Sequence, residues 1–244
     1  MKPYIIAHRG ASGIAPENTM ASLKKAIEQK ADGVELDVHL TKDNIPVVIH
    51  DETLNRTTDG SGYVKDYTFK ELNKYDAGSH FDERFSNQKI PSLREVLELS
   101  SELKIINIEL KNNKIYYNGL EEKVLSLIKD YEIEDRVIIS SFNHYSINKI
   151  REMNQKLELA ILYKSWLFEP WVYAERLKIN NIHPHFLAIN EEIISKCNEK
   201  NIRVNVYGTN DSKQIENATK FGADMIICDY PGKVKDKLNN IFTN

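Results

Sequence analysis

Short apolar runs alternate with amphipathic stretches along nearly the whole chain. The amphipathic stretches repeat their apolar positions at helical spacing, and the short runs are typical of buried strands. Eight strands are predicted, over 4–8, 33–38, 105–110, 137–142, 158–163, 181–185, 203–207 and 224–228. Helices are predicted between them, over 19–30, 92–102, 119–130, 144–154, 171–179, 190–200 and 211–221. Strands that alternate with helices in this way indicate a parallel sheet.

The number of strands favours a closed barrel over an open sheet. Eight strands with helices between them fit an α/β fold of the (β/α)8 TIM barrel type. An open doubly wound sheet is the alternative, but the sequence shows no glycine-rich nucleotide loop to support it. The chain has 244 residues, of which 41% are hydrophobic, and this suffices for one large core. We therefore predict a single barrel domain over 1–244.

Two stretches interrupt the alternation. Residues 46–50 are strand-like but follow the strand at 33–38 without room for a helix, so we predict a hairpin there. A tight two-residue turn centred on Asp43 and Asn44 would place residue 50 directly opposite residue 37. Residues 52–91 show no long periodic pattern, and we predict a small insertion after strand 2, placed as a lid over the site.

Charged residues occupy alternate positions in two of the predicted strands. Glu35 and Asp37 share one face of their strand, as Glu109 and Lys111 do, because residues two apart in a strand point the same way. The neighbouring residues on the opposite faces are all apolar, namely Val34, Leu36, Val38, Ile106, Ile108 and Leu110. Burying unpaired charge is costly, so the cluster needs a compensating ion. A bound metal together with an anionic substrate would supply it.

The three carboxylates Glu35, Asp37 and Glu109 offer oxygen ligands only. Oxygen ligands suit hard cations such as Ca²⁺ or Mg²⁺, with Mn²⁺ as a further option. We therefore predict one divalent metal at this cluster. Interior salt bridges to Lys111 and Arg9 are the structural alternative.

His8 and His50 are predicted to face the same acidic cluster, one after the first strand and one on the hairpin arm. The imidazole pKa is about 6.5, so one ring can be neutral while the other is protonated. General acid and base catalysis needs this division. Structural hydrogen bonding and metal ligation are the alternatives. Arg9 and Lys111 add positive charge suited to binding a phosphate.

Composition and charge narrow the choice of partners and location. The net charge is −3 without an extended basic stripe, which argues against nucleic acid. No apolar run reaches the ~20 residues that a membrane span needs, so we expect no stable membrane anchor. Cys197 and Cys228 are far apart and match no metal spacing. A cytoplasmic location is the prediction, and the oligomeric state stays open.

An ordered set of short motifs resembles the glycerophosphodiester phosphodiesterase family, from residue 4 to residue 231. The motifs are His8-Arg9-Gly10, Pro16-Glu17-Asn18-Thr19, Glu35-Leu36-Asp37, Val47-Val48-Ile49-His50-Asp51, Glu109-Leu110-Lys111 and Cys228-Asp229-Tyr230-Pro231. The resemblance implies a TIM barrel that cleaves a small-molecule glycerophosphodiester to glycerol 3-phosphate and an alcohol. Either water or the glycerol hydroxyl of the substrate would be the nucleophile.

The resemblance also implies the role of each site residue. A divalent metal would be held by Glu35, Asp37 and Glu109. His8 and His50 would be the acid/base pair. Phosphate contacts would come from Arg9 and Lys111.

One stretch departs from the family pattern. Where many members carry Trp-Thr-Val-Asn after the seventh strand, this chain has Tyr207-Gly208-Thr209-Asn210. Tyr207 and Phe142 are expected to line the glycerol pocket and bind substrate, with packing inside the barrel as the alternative. An aromatic loop at 166–173 motivates a second function, cleavage of intact phospholipid. A non-catalytic phosphodiester-binding protein is a third.

Overall fold

The computed structural model describes residues 2–243, in which nine strands build one sheet. They are β1 Tyr4–His8, β2 Gly33–Leu40, β3 Pro46–Val48, β4 Ile105–Leu110, β5 Val137–Ser141, β6 Glu158–Tyr163, β7 Asn181–Pro184, β8 Arg203–Tyr207 and β9 Met225–Cys228. All except β3 are parallel, and β1 pairs with both β2 and β9, which closes the ring. The predicted (β/α)8 barrel and its eight strands are confirmed.

Nine α-helices are described within residues 2–243, and all except the second cover the outside of the ring. They are α1 Met20–Glu28, α2 Phe69–Leu72, α3 Leu93–Leu99, α4 Leu120–Asp130, α5 His144–Met153, α6 Pro170–Arg176, α7 Glu191–Glu199, α8 Ser212–Phe221 and α9 Pro231–Thr243. Thr19 and Ser92 begin α1 and α3 with capping boxes, which satisfy the free N–H groups of the first turn. The main apolar core lies between these helices and the outer faces of the strands.

The hairpin after β2 forms because β2 is longer than its neighbour β1. β1 ends at His8, which is paired with Glu35, and β3 then takes the free edge of β2 with Val38 opposite Val48. Thr41 N donates to Ile45 O at 3.1 Å, so the loop has one residue more than predicted. The predicted two-residue turn is therefore wrong.

The left-handed backbone of the residue that closes this loop explains the error. Asn44 has φ +59°, a conformation that Asn tolerates well and that closes three-residue hairpin loops. The longer loop shifts the register by one residue. Ile49, rather than His50, comes to lie opposite Asp37, and Ile49 N donates to Asp37 O at 3.0 Å.

Residues 52–91 form a small folded unit between β3 and α3. It contains α2 and two short 3-10 turns, at Val64–Asp66 and Glu83–Phe85. Together with β3 and the segment after it, the insertion builds an apolar cluster separate from the main core, formed by Val47, Ile49, Leu54, Val64, Leu72, Ala77 and Ile90. The insertion is therefore a packed unit at the side of the barrel with its own small core.

The inside of the barrel changes character along its axis. An inner cluster comprises five buried apolar residues, Ile6, Ile138, Ala160, Met225 and Ile227. Charged and polar residues take over at the carboxyl ends of the strands, where barrel enzymes place their sites. No helix within residues 2–243 has the length and apolar character to cross a membrane.

Candidate active site

Three buried carboxylates meet at the carboxyl ends of β2 and β4. Strand pairing sets Asp37 beside Glu109, and Glu35 beside Asn107. One oxygen from each of Glu35, Asp37 and Glu109 lies within 4.8 Å of the other two. Because the two strands pair without a bulge, the alternation of side chains seen in the sequence carries all three acids to one face.

Two cations balance part of this charge. Lys111 Nζ lies 2.8 Å from Glu109 Oε1 and 3.4 Å from Asp37 Oδ1, and Arg9 Nε lies 3.3 Å from Asp37 Oδ2. Despite its burial, the pKa of Asp37 is held well below its usual range by Lys111 and Arg9. The predicted interior salt bridges therefore exist, and they centre on Asp37.

Glu35 has a different environment. Within the described residues no lysine or arginine side chain lies at ion-pair distance from it, and its main partner is the backbone N–H of Arg9 at 3.0 Å. Burial, followed by the charge of Asp37, raises the pKa of Glu35 to about 8. Burial also raises the pKa of Glu109 despite its contact with Lys111. The cluster thus has three carboxyl groups and two cations, so it carries excess negative charge once all three acids ionise.

This excess charge fits a divalent cation. The donor set consists of carboxylate oxygens alone, which Ca²⁺ and Mg²⁺ prefer. A cation bound there would favour the ionised form of Glu35, the acid that burial and repulsion otherwise keep protonated near neutral pH. The residues present therefore suit the metal that the sequence predicts.

The backbone after β1 is turned sharply to aim the Arg9 side chain at the cluster. Arg9 and Gly10 have φ +54° and φ +77°, both in the left-handed region. A Cβ on Gly10 would lie 2.5 Å from Ser22 Oγ, so only glycine fits. The carbonyl of Arg9 accepts from Asn18 N and Ser22 Oγ, each at 2.9 Å. These bonds stabilise a conformation that a non-glycine residue otherwise avoids.

Each of the two predicted histidines is held by a carboxylate. His8 Nδ1 lies 2.7 Å from Asp229 Oδ1, and His50 Nδ1 lies 2.6 Å from Asp51 Oδ1. Both rings line the same cavity, and their Nε2 atoms are left for other partners. Burial opposes protonation of His8, but Asp229 and Glu35 outweigh it and raise its pKa. Burial lowers the pKa of His50.

A third histidine, His39, supports the backbone of His50. His39 is fully buried on β2, and its Nε2 donates to the carbonyl of His50 at 3.1 Å. Burial lowers the pKa of His39 to about 4, so the ring is neutral and its Nδ1 accepts from Tyr117 Oη at 2.9 Å. The structure places His50 in the same cavity lining as Glu35 and Glu109, although the register behind the prediction was wrong.

The site opens into a cavity of about 340 Å³. Its lining includes every predicted site residue except Asp37, which contacts Arg9 and Lys111 from the buried side. Phe142 and Tyr207 form one wall, with ring centroids 6.3 Å apart and planes nearly perpendicular at 87°. The structure thus brings all nine predicted residues to one place.

The insertion does not cover this cavity. Residues 52–91 are all described, and none of them lines it. The insertion reaches the site from the side, where Arg56 binds Asp51 and Glu17. The predicted lid is therefore wrong for this structure.

Several site residues were missed as functional candidates. Asp229 directly follows β9, so the strand-end rule that identified Glu109 could have found it. Asn18 lies just before Thr19, which caps α1, and its Nδ2 donates to Asp37 at 2.8 Å. Arg56 lies in a stretch without periodicity and offered no such signal.

The aromatic loop after β6 divides into two parts. Trp166 and Phe168 are exposed by 61% and 89%, whereas Trp171 and Tyr173 pack against the main core. Ordinary packing therefore accounts for the second pair only.

Comparison with known proteins agrees with this geometry. The model of the glycerophosphoryl diester phosphodiesterase family matches residues 8–233. A glycerophosphodiester phosphodiesterase of Caldanaerobacter subterraneus is 45% identical, over 95% of this chain and 96% of its own length. One of Bacillus altitudinis is 42% identical, over 94% and 95%.

A solved structure shows the same architecture. A phosphodiesterase of Oleispira antarctica, in complex with the product sn-glycerol-3-phosphate, matches with a TM-score of 0.90 and 31% identity, covering 97% of each chain. The family resemblance noted in the sequence is thereby confirmed. The chain belongs to the glycerophosphoryl diester phosphodiesterase family of enzymes.

Proposed function

We propose that this enzyme hydrolyses glycerophosphodiesters to glycerol 3-phosphate and an alcohol, with a divalent metal held by Glu35, Asp37 and Glu109. The observation that carries the proposal is one cavity lined by an excess of carboxylate charge and two carboxylate-anchored imidazoles. The Oleispira antarctica relative, which holds sn-glycerol-3-phosphate, supports the substrate class.

The cavity suits a small phosphodiester. Its volume of about 340 Å³ is at the lower end of the range that small-molecule sites span. Arg9 and Lys111 reach it from either side of Asp37 and would contact the phosphate oxygens. A bound divalent cation would add positive charge beside the phosphate and stabilise the charge that develops in the transition state.

The two histidines would move the protons. One imidazole accepts a proton at Nε2 from the nucleophile, which is either water or the glycerol hydroxyl of the substrate. In the second case a cyclic glycerol phosphate forms, and water then opens it to glycerol 3-phosphate. The new bond from oxygen to phosphorus forms as the ester bond to the alcohol breaks. The other imidazole donates its proton to the departing alkoxide oxygen. Asp229 and Asp51 hold His8 and His50 in orientation for these transfers.

The aromatic wall would bind the glycerol part of the substrate. Phe142 and Tyr207 meet edge to face, and Tyr207 also packs on His185 with ring centroids 5.1 Å apart. The carbon backbone of glycerol would lie against these rings while its hydroxyl groups face the polar side of the cavity.

Intact phospholipid is a second candidate substrate, favoured by the exposed Trp166 and Phe168. Co-sedimentation with anionic and zwitterionic vesicles tests it. Vesicle binding that is lost in a Trp166→Ser, Phe168→Ser variant would support it, and no binding by the unaltered protein would count against it. The predicted cytoplasmic location stays a prediction.

The main experiment follows glycerol 3-phosphate release from glycerophosphocholine and glycerophosphoethanolamine. Chelator-stripped protein is assayed with Ca²⁺, Mg²⁺ or Mn²⁺ added back, beside Glu109→Gln and the surface control Glu199→Gln. We expect release that depends on metal, is lost in Glu109→Gln and is kept in Glu199→Gln. Release that survives stripping would contradict the metal role. Folded protein that binds diester but releases nothing would favour the binding-only alternative.

A further inference from the structure

We propose that Arg56, which the insertion supplies, is a positioning residue that fixes the histidine His50 and the phosphate-binding Arg9 relative to each other. The proposal rests on the function proposed above, in which both residues act on the substrate. It also gives the insertion a role in place of the predicted lid.

Arg56 binds two carboxylates at once. Its Nε and Nη2 donate to Asp51 at 2.8 and 3.0 Å, and its Nη1 and Nη2 donate to Glu17 at 2.8 and 2.7 Å. All three guanidinium nitrogens are therefore used, and each carboxylate is held by two bonds. Two-bond contacts fix direction as well as distance.

Each of these carboxylates holds a residue of the site. Asp51 binds His50 Nδ1 at 2.6 Å, and Glu17 binds Arg9 Nη1 at 2.9 Å. A continuous path of short polar contacts therefore runs from His50 through Asp51, Arg56 and Glu17 to Arg9. We call these five residues the Arg56 bridge.

The location of the Arg56 bridge indicates orientation rather than stability as its purpose. The side chains of Arg56, Asp51 and Glu17 are exposed by 46%, 26% and 18%. Exposed ion pairs contribute little to the free energy of unfolding one by one, and two-bond contacts in a network contribute somewhat more. Because Arg56 is the most exposed of the three, a substitution there should lower stability modestly and leave the fold intact.

The insertion is built to hold Arg56 in place. Arg56 lies in a turn in which Thr58 N and Thr58 Oγ1 donate to Leu54 O at 3.1 and 2.8 Å. Leu54 is fully buried in the apolar cluster of the insertion. The backbone on both sides of Arg56 is thus tied to a packed unit.

Arginine suits this position better than lysine. Its planar fork can bind two carboxylates with two bonds each, whereas a lysine ammonium is a single point of charge. Arg56→Lys keeps the charge and loses this geometry. If orientation is the purpose, Arg56→Lys should restore only part of the activity that Arg56→Gln loses.

The test compares Arg56→Gln with Arg84→Gln. Arg84 lies in the same insertion, binds only Asp82 and is 81% exposed, so it is a matched control. We expect Arg56→Gln to lower kcat about 10- to 100-fold with little change in Tm, as loss of supporting hydrogen bonds does elsewhere. Arg84→Gln should match the unaltered enzyme. Unchanged kcat in Arg56→Gln would overturn the proposal.

A pH profile separates positioning from simple loss of structure. His50 faces Asp37, Lys111 and Arg9 as well as Asp51. Removing the guanidinium leaves the Asp51 carboxylate without its counter-charge. The uncompensated carboxylate then stabilises the imidazolium of His50 and raises the pKa of this ring. The limb of the profile that belongs to His50 should therefore move to higher pH. A lower kcat with an unmoved limb and a lower Tm would overturn the proposal in favour of a structural role.

NMR titration of the His50 ring keeps this inference separate from the proposed function. It needs no turnover, so it still decides the matter if the unaltered protein releases no product with any metal. An upward shift of the His50 midpoint in Arg56→Gln, absent in Arg84→Gln, would support the Arg56 bridge. An unchanged midpoint would overturn it even if the enzyme is active.

Discussion

The rim of the cavity has two halves that are built in different ways. β1, β2 and β4 bring charged residues whose side chains are held by several short bonds. Asp37, for example, contacts three residues, Arg9, Lys111 and Asn18. β5 and β8 bring Phe142 and Tyr207, whose rings meet edge to face with their centroids 6.3 Å apart. Groups that move protons and hold a cation need a fixed geometry, whereas a wall that only shapes the pocket does not. Substitutions should therefore be far more damaging in the charged half.

The largest effect is expected at the histidines of the charged half. His50→Ala or His8→Ala should lower kcat by a factor on the order of 10²–10⁴, because each removes one of the two proposed proton-transfer groups. The measurement is glycerol 3-phosphate release at the optimal metal concentration. His80→Ala, in the insertion and outside the cavity lining, is the matched control. Turnover by His50→Ala at the level of the control would remove His50 from the mechanism.

The next largest effect concerns stability. Asp37→Asn removes the carboxylate that Arg9 and Lys111 share, and leaves positive charge buried with less compensation. The free energy of unfolding should fall by about 3–5 kcal/mol in the metal-free protein. Urea denaturation measures it. Asp82→Asn breaks an exposed pair and should leave the free energy of unfolding nearly unchanged. An equal fall in the free energy of unfolding in the two variants would contradict the claim that Asp37 compensates the buried charges of Arg9 and Lys111.

A smaller change in stability, of opposite sign, is expected at Glu35, two residues before Asp37 on β2. The pKa of Glu35 is raised from its usual value near 4.5 to about 8, so the folded protein holds its proton more tightly than the unfolded chain. The stability of metal-free protein should therefore fall as pH rises from about 4.5 to about 8. Glu35→Gln should remove this dependence.

At pH 8, Glu35→Gln should be more stable than the unaltered metal-free protein by at least about 1 kcal/mol, since one pKa unit is worth about 1.4 kcal/mol. Saturating Ca²⁺ or Mg²⁺ should reverse the order, because only the unaltered protein gains the full binding energy. Thermal unfolding at several pH values, with and without metal, measures both. A destabilised Glu35→Gln without metal would show that Glu35 is already compensated.

The smallest effect is expected in the aromatic half. Tyr207 Oη donates to Tyr163 O only at 3.4 Å, so Tyr207→Phe gives up a weak bond and keeps the ring. We expect a change in kcat/KM of less than about fivefold, which corresponds to about 1 kcal/mol. Tyr207→Ala, which removes the wall, should raise KM more than it lowers kcat. A collapse of kcat in Tyr207→Phe would mean that the hydroxyl takes part in the reaction.

The sequence predicted some parts of the fold and the site and missed others. Period and length predicted the eight strands, and alternation along β2 and β4 predicted the three carboxylates, because both signals are local. The turn at Asn44 was missed because a left-handed residue fits either loop length until the register is known. Asp51, Arg56 and Glu17 escaped because their pairing depends on how a non-periodic insertion folds back on the barrel.

The hydrogen bond between His8 and Asp229 joins residues that are 221 positions apart, next to the place where β1 pairs with β9. During synthesis the ribosome must deliver nearly the whole chain before His8 meets its partner. A nascent chain that ends before β9 cannot yet form this contact. In a refolding time course, product release should therefore begin no earlier than the pairing of β1 with β9.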